Sequence, residues 1–206
     1  MFIVFEGLDG CGKETQITLL KQKLASAQCA QNEIFSNIYS AINYFKYPTR
    51  NFGVLNDFLE RKIHLSSKSL FLLFLADIAN EQEKIKQSEL AISDRYVFST
   101  IAYEVDGINY NNGKKITEAS GFIKPDLVVY LDIDADISQE RKSKQKQLDR
   151  YEENKIYLAQ VRENYLNLYQ DKFLTDNWCL VDASKNISEV HLQILNYLKK
   201  FDILLP

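Results

Sequence analysis

The chain has 206 residues, of which 46% are hydrophobic and 26% charged, and carries a formal net charge of -3. Such a length suits one domain with a sizeable core, the composition excludes a disordered chain, and the charge supplies no general drive towards nucleic acid or acidic membranes, so an anionic ligand must be met by local positive groups. Cys11, Cys29 and Cys179 are odd in number, far apart and without a CxxC, which argues against a disulfide framework or a zinc site and fits a reducing cytoplasm.

The chain opens on "MFIVF", an apolar run without a basic flank and too short for a signal peptide, and no later stretch approaches the ~20 apolar residues of a membrane span. Residues 2–5 read as a buried strand. Residues 13–27 carry Ile17, Leu20 and Leu24 at helical spacing, and "EIFSNI" (33–38) is a weaker strand candidate. Residues 52–63 and 67–87 read as helices, "LAISD" (90–94) as a second buried strand, and residues 95–105 as the start of another helix. "NYNNGKK" (109–115) reads as a loop. "KPDLVVYLDI" (124–133) is the clearest strand, followed by a charged helical stretch over 137–170 that breaks near 144–148. A last strand (178–183) and a last helix (187–201) complete the series. Short apolar strands alternating with helices predict an α/β fold, a central parallel sheet of about five strands covered by helices on both faces, in one domain spanning 1–206. Ligands of such sheets bind beyond the carboxyl ends of the strands. That rule brings together the loop after the first strand, the Asp94-Arg95 pair and the region after residue 133.

The first of these regions is "EGLDGCGKETQ" (6–16), in which Gly7, Gly12 and Lys13 match GxxxxGK between a strand and a helix. Its glycines allow tight turns and close approach of phosphate oxygens to amide hydrogens, the helix adds its positive end, and Lys13 adds a mobile charge. Gly7, Leu8, Asp9, Gly10, Cys11, Gly12, Lys13, Glu14 and Thr15 are therefore the candidates for the phosphates of ATP. Position 14, where a hydroxyl usually serves magnesium, is Glu14. Either Glu14 points outward and Thr15 or a water serves the metal, or its carboxylate repels the phosphates. Asp94, at the end of a buried strand, is a second candidate for Mg2+, and Arg95 a candidate for bridging phosphates.

"FEGLDGCGKETQ" resembles the phosphate loop of thymidylate (dTMP) kinases, and "DRYVFSTIAYE" (94–104) is similar to the DR(Y/H)xxSxxAY signature of the same family. The resemblance implies a three-layer P-loop kinase fold and transfer of the γ-phosphate of ATP to dTMP. It implies Lys13, Arg95 and Asp94 as catalytic groups, Asp9 on the acceptor 3'-hydroxyl, and Tyr103, with Ser99 nearby, at the deoxyribose. "FKYPTR" (45–50) is similar to the family's (F/Y)PxR, which makes Arg50 the candidate for the acceptor phosphate. "LLFLADIANE" (72–81) resembles LLFxADRxxE, which places Phe74 on the thymine ring and Ile78 where relatives carry an arginine. The cations Arg141, Lys142, Lys144, Lys146 and Arg150 lie where the family has its lid, near 140–152. Ser143 and Gln145 replace its arginine pair, so Arg141, Lys144 and Lys146 are the candidates to close over ATP. The resemblance further implies a homodimer. Two alternatives accompany it: a kinase for another nucleoside or nucleotide, favoured by Ile78, and a nucleotide-binding protein with weak transfer.

Overall fold

The structure, a computed structural model, describes residues 1–30, 42–105, 107–144 and 154–201. Five strands form one sheet: β1 (Phe2–Glu6), β2 (Ile42–Lys46), β3 (Leu90–Asp94), β4 (Leu127–Asp132) and β5 (Trp178–Asp182). They lie in the order β2-β3-β1-β4-β5 and every pairing is parallel. Nine helices are present among the described residues: α1 (Lys13–Ala30), α2 (Gly53–Leu59), α3 (Ser67–Ala79), α4 (Gln82–Gln87), α5 (Val97–Ala102), α6 (Tyr110–Ala119), α7 (Ala135–Ser143), α8 (Lys155–Gln170) and α9 (Ile187–Lys200). The expected α/β architecture with a five-stranded parallel sheet is therefore present. None of these helices is long and apolar enough to cross a membrane.

The sheet core consists of β1, β3 and β4, whose side chains are buried almost throughout, as strands covered on both faces require. Every strand ends on an ionisable residue: Glu6, Lys46, Asp94, Asp132 and Asp182. The register pairs Phe5 with Asp94, Lys46 with Asp94, and Asp132 with Asp182, so these ends share one edge of the sheet. Hydrophobic burial drives the strands together, and the charged stops leave a polar rim where the chain must turn.

Three elements differ from the sequence reading. The second strand is β2, which overlaps the segment singled out for Arg50 only at Phe45 and Lys46, whereas the candidate at 33–38 falls outside the described residues. The side chains of β2 are mostly exposed or half-buried, as an edge strand allows, so it lacks the apolar run that marks its neighbours. Residues 110–115 are helical, not a loop, and Asn109 caps α6 by accepting from Asn112 N at 2.9 Å. Gly113, which reads as a breaker, is buried in α6, where a β-carbon would stand 3.4 Å from the Phe71 ring. Its lack of a side chain lets α6 approach α3. The helix expected over 67–87 is two helices, α3 and α4. The turn at Asn80 and Glu81 lets Gln82 accept from Tyr96 OH and Ile123 N, both at 2.9 Å, and so tie three segments together.

Candidate functional site

The loop between β1 and α1 is built on backbone angles that favour glycine. Gly7, Gly10 and Gly12 have φ of +140°, +78° and +97°. At Gly7 the space is closed as well, since a β-carbon would come within 2.5 Å of Leu131 O and 2.8 Å of Cys11 Sγ. Gly7→Ala is expected to destabilise the protein by at least ~2 kcal/mol, through strain and overpacking together. Urea unfolding of the variant against the parent checks this.

Lys13 begins α1 and turns back into the loop. Its Nζ donates to Gly7 O at 2.9 Å and Leu8 O at 3.1 Å and lies 3.6 Å from Cys11 Sγ. The ammonium is thus held against the loop from inside, with Lys13 only 7% exposed. From outside, α7 clamps the same loop: Ser138 Oγ donates to Asp9 O at 2.7 Å, and Arg141 donates to Gly10 O at 3.4 Å. Arg141 also donates to Ala183 O at 2.9 Å and Ser184 O at 3.2 Å, which joins the phosphate loop to the turn after β5.

Asp9 and Arg95 form the centre of the cluster. Arg95 Nη2 donates to Asp9 Oδ1 at 3.0 Å and to Tyr103 OH at 3.3 Å, and Nη1 donates to Ser99 Oγ at 2.9 Å and Tyr165 OH at 3.4 Å. Tyr103 OH donates in turn to Asp9 Oδ2 at 3.4 Å. Arg95 is half-buried, its side chain 16% exposed, and its backbone has φ of +73°, a left-handed conformation that an arginine adopts only where the surroundings impose it. The imposing contacts are Arg95 N donating to Phe5 O at 2.9 Å and Ser93 Oγ donating to Arg95 O at 2.5 Å. Burial alone would raise the Asp9 carboxyl, but the charges of Arg95, Lys13 and Lys142 outweigh it and hold the group well below the usual carboxylate range.

Glu6 lies beneath this cluster. It accepts from Tyr96 N at 2.7 Å, Ser99 N at 3.3 Å, Ser99 Oγ at 2.6 Å and Tyr165 OH at 2.9 Å. Complete burial pushes its carboxyl up, against the lowering effect of Arg95 and these bonds. Glu6, Ser99 and Tyr165 thus form a polar floor that fixes the guanidinium from below.

Asp94 is buried, and its Oδ2 stands 3.7 Å from Lys46 Nζ. Its other oxygen, Oδ1, is buried without a hydrogen-bond partner. A carboxylate oxygen in that condition suits a hard cation or a water bound to one. Lys46 Nζ also lies 3.4 Å from Glu14 Oε2, so the carboxylate at position 14 is turned towards Lys46 on the exposed side of the first turn. Thr15 is exposed on the same turn.

The remaining candidates are placed separately. Arg50 has φ of +66° and an exposed side chain that makes no hydrogen bond to Asp9, Arg95 or Tyr103. Its loop is anchored by Asp77, which accepts from Thr49 N at 2.7 Å and from Thr49 Oγ1. Phe74 is half-buried on α3 and lies outside the main core cluster. Ile78 is 2% exposed and belongs to that cluster, so it offers packing and no polar group. In the lid stretch, Lys144 pairs with Glu140 at 2.6 Å, both exposed. Lys146 and Arg150 lie outside the described residues.

Sequence reasoning missed Lys46, Lys142 as a neighbour of Asp9, the Glu6 and Tyr165 floor, and Arg162. The last donates from Nε at 2.8 Å and Nη2 at 2.7 Å to the two oxygens of Asp132. Leu158, Val161, Tyr165 and Leu168 carry a helical apolar period whose inward phase could have pointed to Tyr165. Nothing comparable marks Lys46, whose strand was not recognised.

Comparison with known proteins converges on one family. The family model described as thymidylate kinase matches residues 5–194. The thymidylate kinase of Thermosipho africanus is 33% identical, over 97% of this chain and 98% of its own. The probable thymidylate kinase of Methanocaldococcus jannaschii is also 33% identical, over 97% and 96%. Among solved structures, a Candida albicans thymidylate kinase reported to have broad substrate specificity superposes with a TM-score of 0.76 at 26% identity, covering 98% of this chain and 92% of that one. The crystal structure of the Ehrlichia chaffeensis thymidylate kinase shares the fold, with a TM-score of 0.69 at 24% identity over 97% and 98%.

Proposed function

The chain belongs to the thymidylate kinase family of nucleoside monophosphate kinases, and from that premise we propose how its residues carry the γ-phosphate of ATP to dTMP, giving ADP and dTDP. The observation that supports the assignment of roles best is the Asp9-Arg95-Tyr103 cluster at the carboxyl edge of the sheet, beside the Lys13 loop. Phosphoryl transfer of this kind requires no covalent intermediate; positioning and charge neutralisation carry it.

The glycine-built loop and the first turn of α1 receive the ATP phosphates, and Lys13 leaves its loop carbonyls to follow the γ-phosphoryl group. Arg95 bridges donor and acceptor phosphates from a fixed, half-buried position. Asp9 accepts from the acceptor 3'-hydroxyl, and Tyr103, packed beside it, leaves no room for a 2'-hydroxyl. Ser99 holds Arg95 and lines the same wall. Phe74, half-buried and outside the core cluster, is placed to stack on the base, and Arg50 to reach the acceptor phosphate. Arg141, which joins the phosphate loop to the turn after β5, helps to close over ATP. Magnesium, bound with ATP, neutralises charge on the phosphate oxygens. Asp94, with its partnerless buried oxygen, would hold it directly or through water, with Thr15 at the helix turn. The proposal includes a cytoplasmic setting and a homodimer, for which Leu72, exposed on α3, offers apolar contact area.

A second reading concerns the acceptor. Ile78 is buried in the core, so the position at which the resemblance expects an arginine offers the acceptor no polar group, and discrimination there is weaker. A coupled ADP-release assay over all deoxy- and ribonucleoside monophosphates tests both readings. Highest kcat/KM with dTMP is expected. Turnover confined to another monophosphate would replace dTMP as the acceptor, and normal ATP binding without turnover on any would reduce the protein to a nucleotide binder.

A further inference from the structure

Helix α7 delivers three residues to the phosphate loop. Ser138, Arg141 and Lys142 are spaced i, i+3 and i+4, and so share one face of the helix. Ser138, itself buried, bonds Asp9 O, and Arg141 bonds Gly10 O. With its phase fixed by these two bonds, α7 carries Lys142 across the mouth of the loop. Its Nζ stands 3.8 Å from Asp9 Oδ1, the oxygen that also accepts from Arg95. The stem lies against Gly10, where a β-carbon would meet Lys142 Cγ at 3.4 Å. The Lys142 side chain is only 19% exposed, against 69% for Lys144, which pairs outward with Glu140.

We propose that Lys142 is a third cation on the transferring phosphoryl group, acting with Lys13 and Arg95 and supplied by the body of α7. The proposal rests on the kinase reading above. Arg95 and Lys142 meet on one carboxylate beside a loop built to receive phosphates, which Lys13 holds from inside, and Arg95 and Lys13 are already assigned to the reaction. Asp9 holds Arg95 and Lys142 on the same oxygen, which sets their spacing before nucleotides arrive. In the step itself an oxygen of the acceptor phosphate attacks Pγ and forms the new O–P bond. The bond from Pγ to the bridging oxygen breaks, and its electron pair stays on the β-phosphate of ADP. Lys142 remains an ammonium throughout and donates to non-bridging oxygens as charge develops on them, so no proton changes hands at this residue. Anchorage on a helix already docked to the loop means that the position of Lys142 is set by Ser138 and Arg141.

The test compares Lys142→Gln and Lys142→Arg with the parent enzyme, using steady-state kinetics with ATP and dTMP and a thermal unfolding curve for each. Glutamine keeps part of the stem that packs on Gly10 and removes the charge. Lys142→Gln is expected to lower kcat at least ~10-fold with both KM values within about 3-fold, and Lys142→Arg to recover most of the loss. A purely structural role would lower the melting temperature of both variants without this split. Unchanged kcat in Lys142→Gln overturns the inference. A rise in KM for ATP at constant kcat also overturns it, because the residue would then bind ground state and transition state alike. Absence of turnover in the parent enzyme with every acceptor would overturn the kinase reading and this inference with it.

Discussion

Arg95→Ala lowers turnover at least ~100-fold, equivalent to about 2.7 kcal/mol of lost transition-state stabilisation. The guanidinium that alanine removes is half-buried, with hydrogen bonds to Asp9, Ser99, Tyr103 and Tyr165. Those bonds hold a planar, permanently charged fork in one orientation, so little reorganisation accompanies the reaction. Removing it also takes away the largest opposing charge at Asp9, so the acceptor sugar meets a weaker and less well placed carboxylate. A β-carbon at φ of +73° retains the backbone strain, whereas glycine relieves it. Arg95→Ala and Arg95→Gly should therefore lose activity alike while differing in unfolding midpoint. Steady-state kinetics on folded variants decides the matter: full activity in a folded Arg95→Ala protein would remove Arg95 from the catalytic assignment.

Lys13→Ala is expected to cost at least ~100-fold in turnover as well, for a different reason. Arg95 is held by side chains, but the Lys13 ammonium rests on two backbone carbonyls of its own loop, those of Gly7 and Leu8. Its four-carbon stem lets it exchange those acceptors for phosphate oxygens and follow the group being transferred. The loop amides and the α1 terminus stay in place without it, so ATP binding should weaken less than kcat falls. Turnover measured beside equilibrium binding of ATP separates the two effects. Equal losses in both would make Lys13 a binding residue only.

The parts of the fold legible in the sequence were those in which one physical signal dominated. β1, β3 and β4 are almost wholly apolar up to their charged ends because both faces are covered, and turn residues beside β1 and β4 set those runs off. β2 is an edge strand with exposed Asn43 and Tyr44, and nothing in its alternation separates it from a loop. α6 was hidden by composition: its asparagines and glycine favour turns, and only the contact of Gly113 with Phe71 shows why a glycine belongs inside that helix. The site followed the same division. Asp9, Lys13, Arg95, Ser99 and Tyr103 sit in short local motifs and meet where the strand ends predicted. In the lid stretch, however, composition shows a run of cations without saying which of them turns inward. That choice depends on the phase of α7, set by the Asp134 cap and by Ser138 on the loop, and it selects Lys142 over Lys144. Residues such as Glu6 and Tyr165 are recognised as partners only when β1 and α8 are seen to converge, 159 positions apart in the chain.

Lys46 couples the phosphate loop to the neighbouring strand through charge. Its ammonium stands between Glu14 and Asp94, one carboxylate from the helix turn and one from the neighbouring strand. With Lys46 replaced by a neutral residue, two negative groups would flank a site that must accept phosphates. With Glu14 replaced by a hydroxyl residue, Lys46 would be left facing Asp94 alone, the carboxylate proposed above to hold the metal. Positions 14 and 46 are therefore coupled through charge: a neutral residue at either one alone shifts the balance beside the loop, and neutral residues at both restore it.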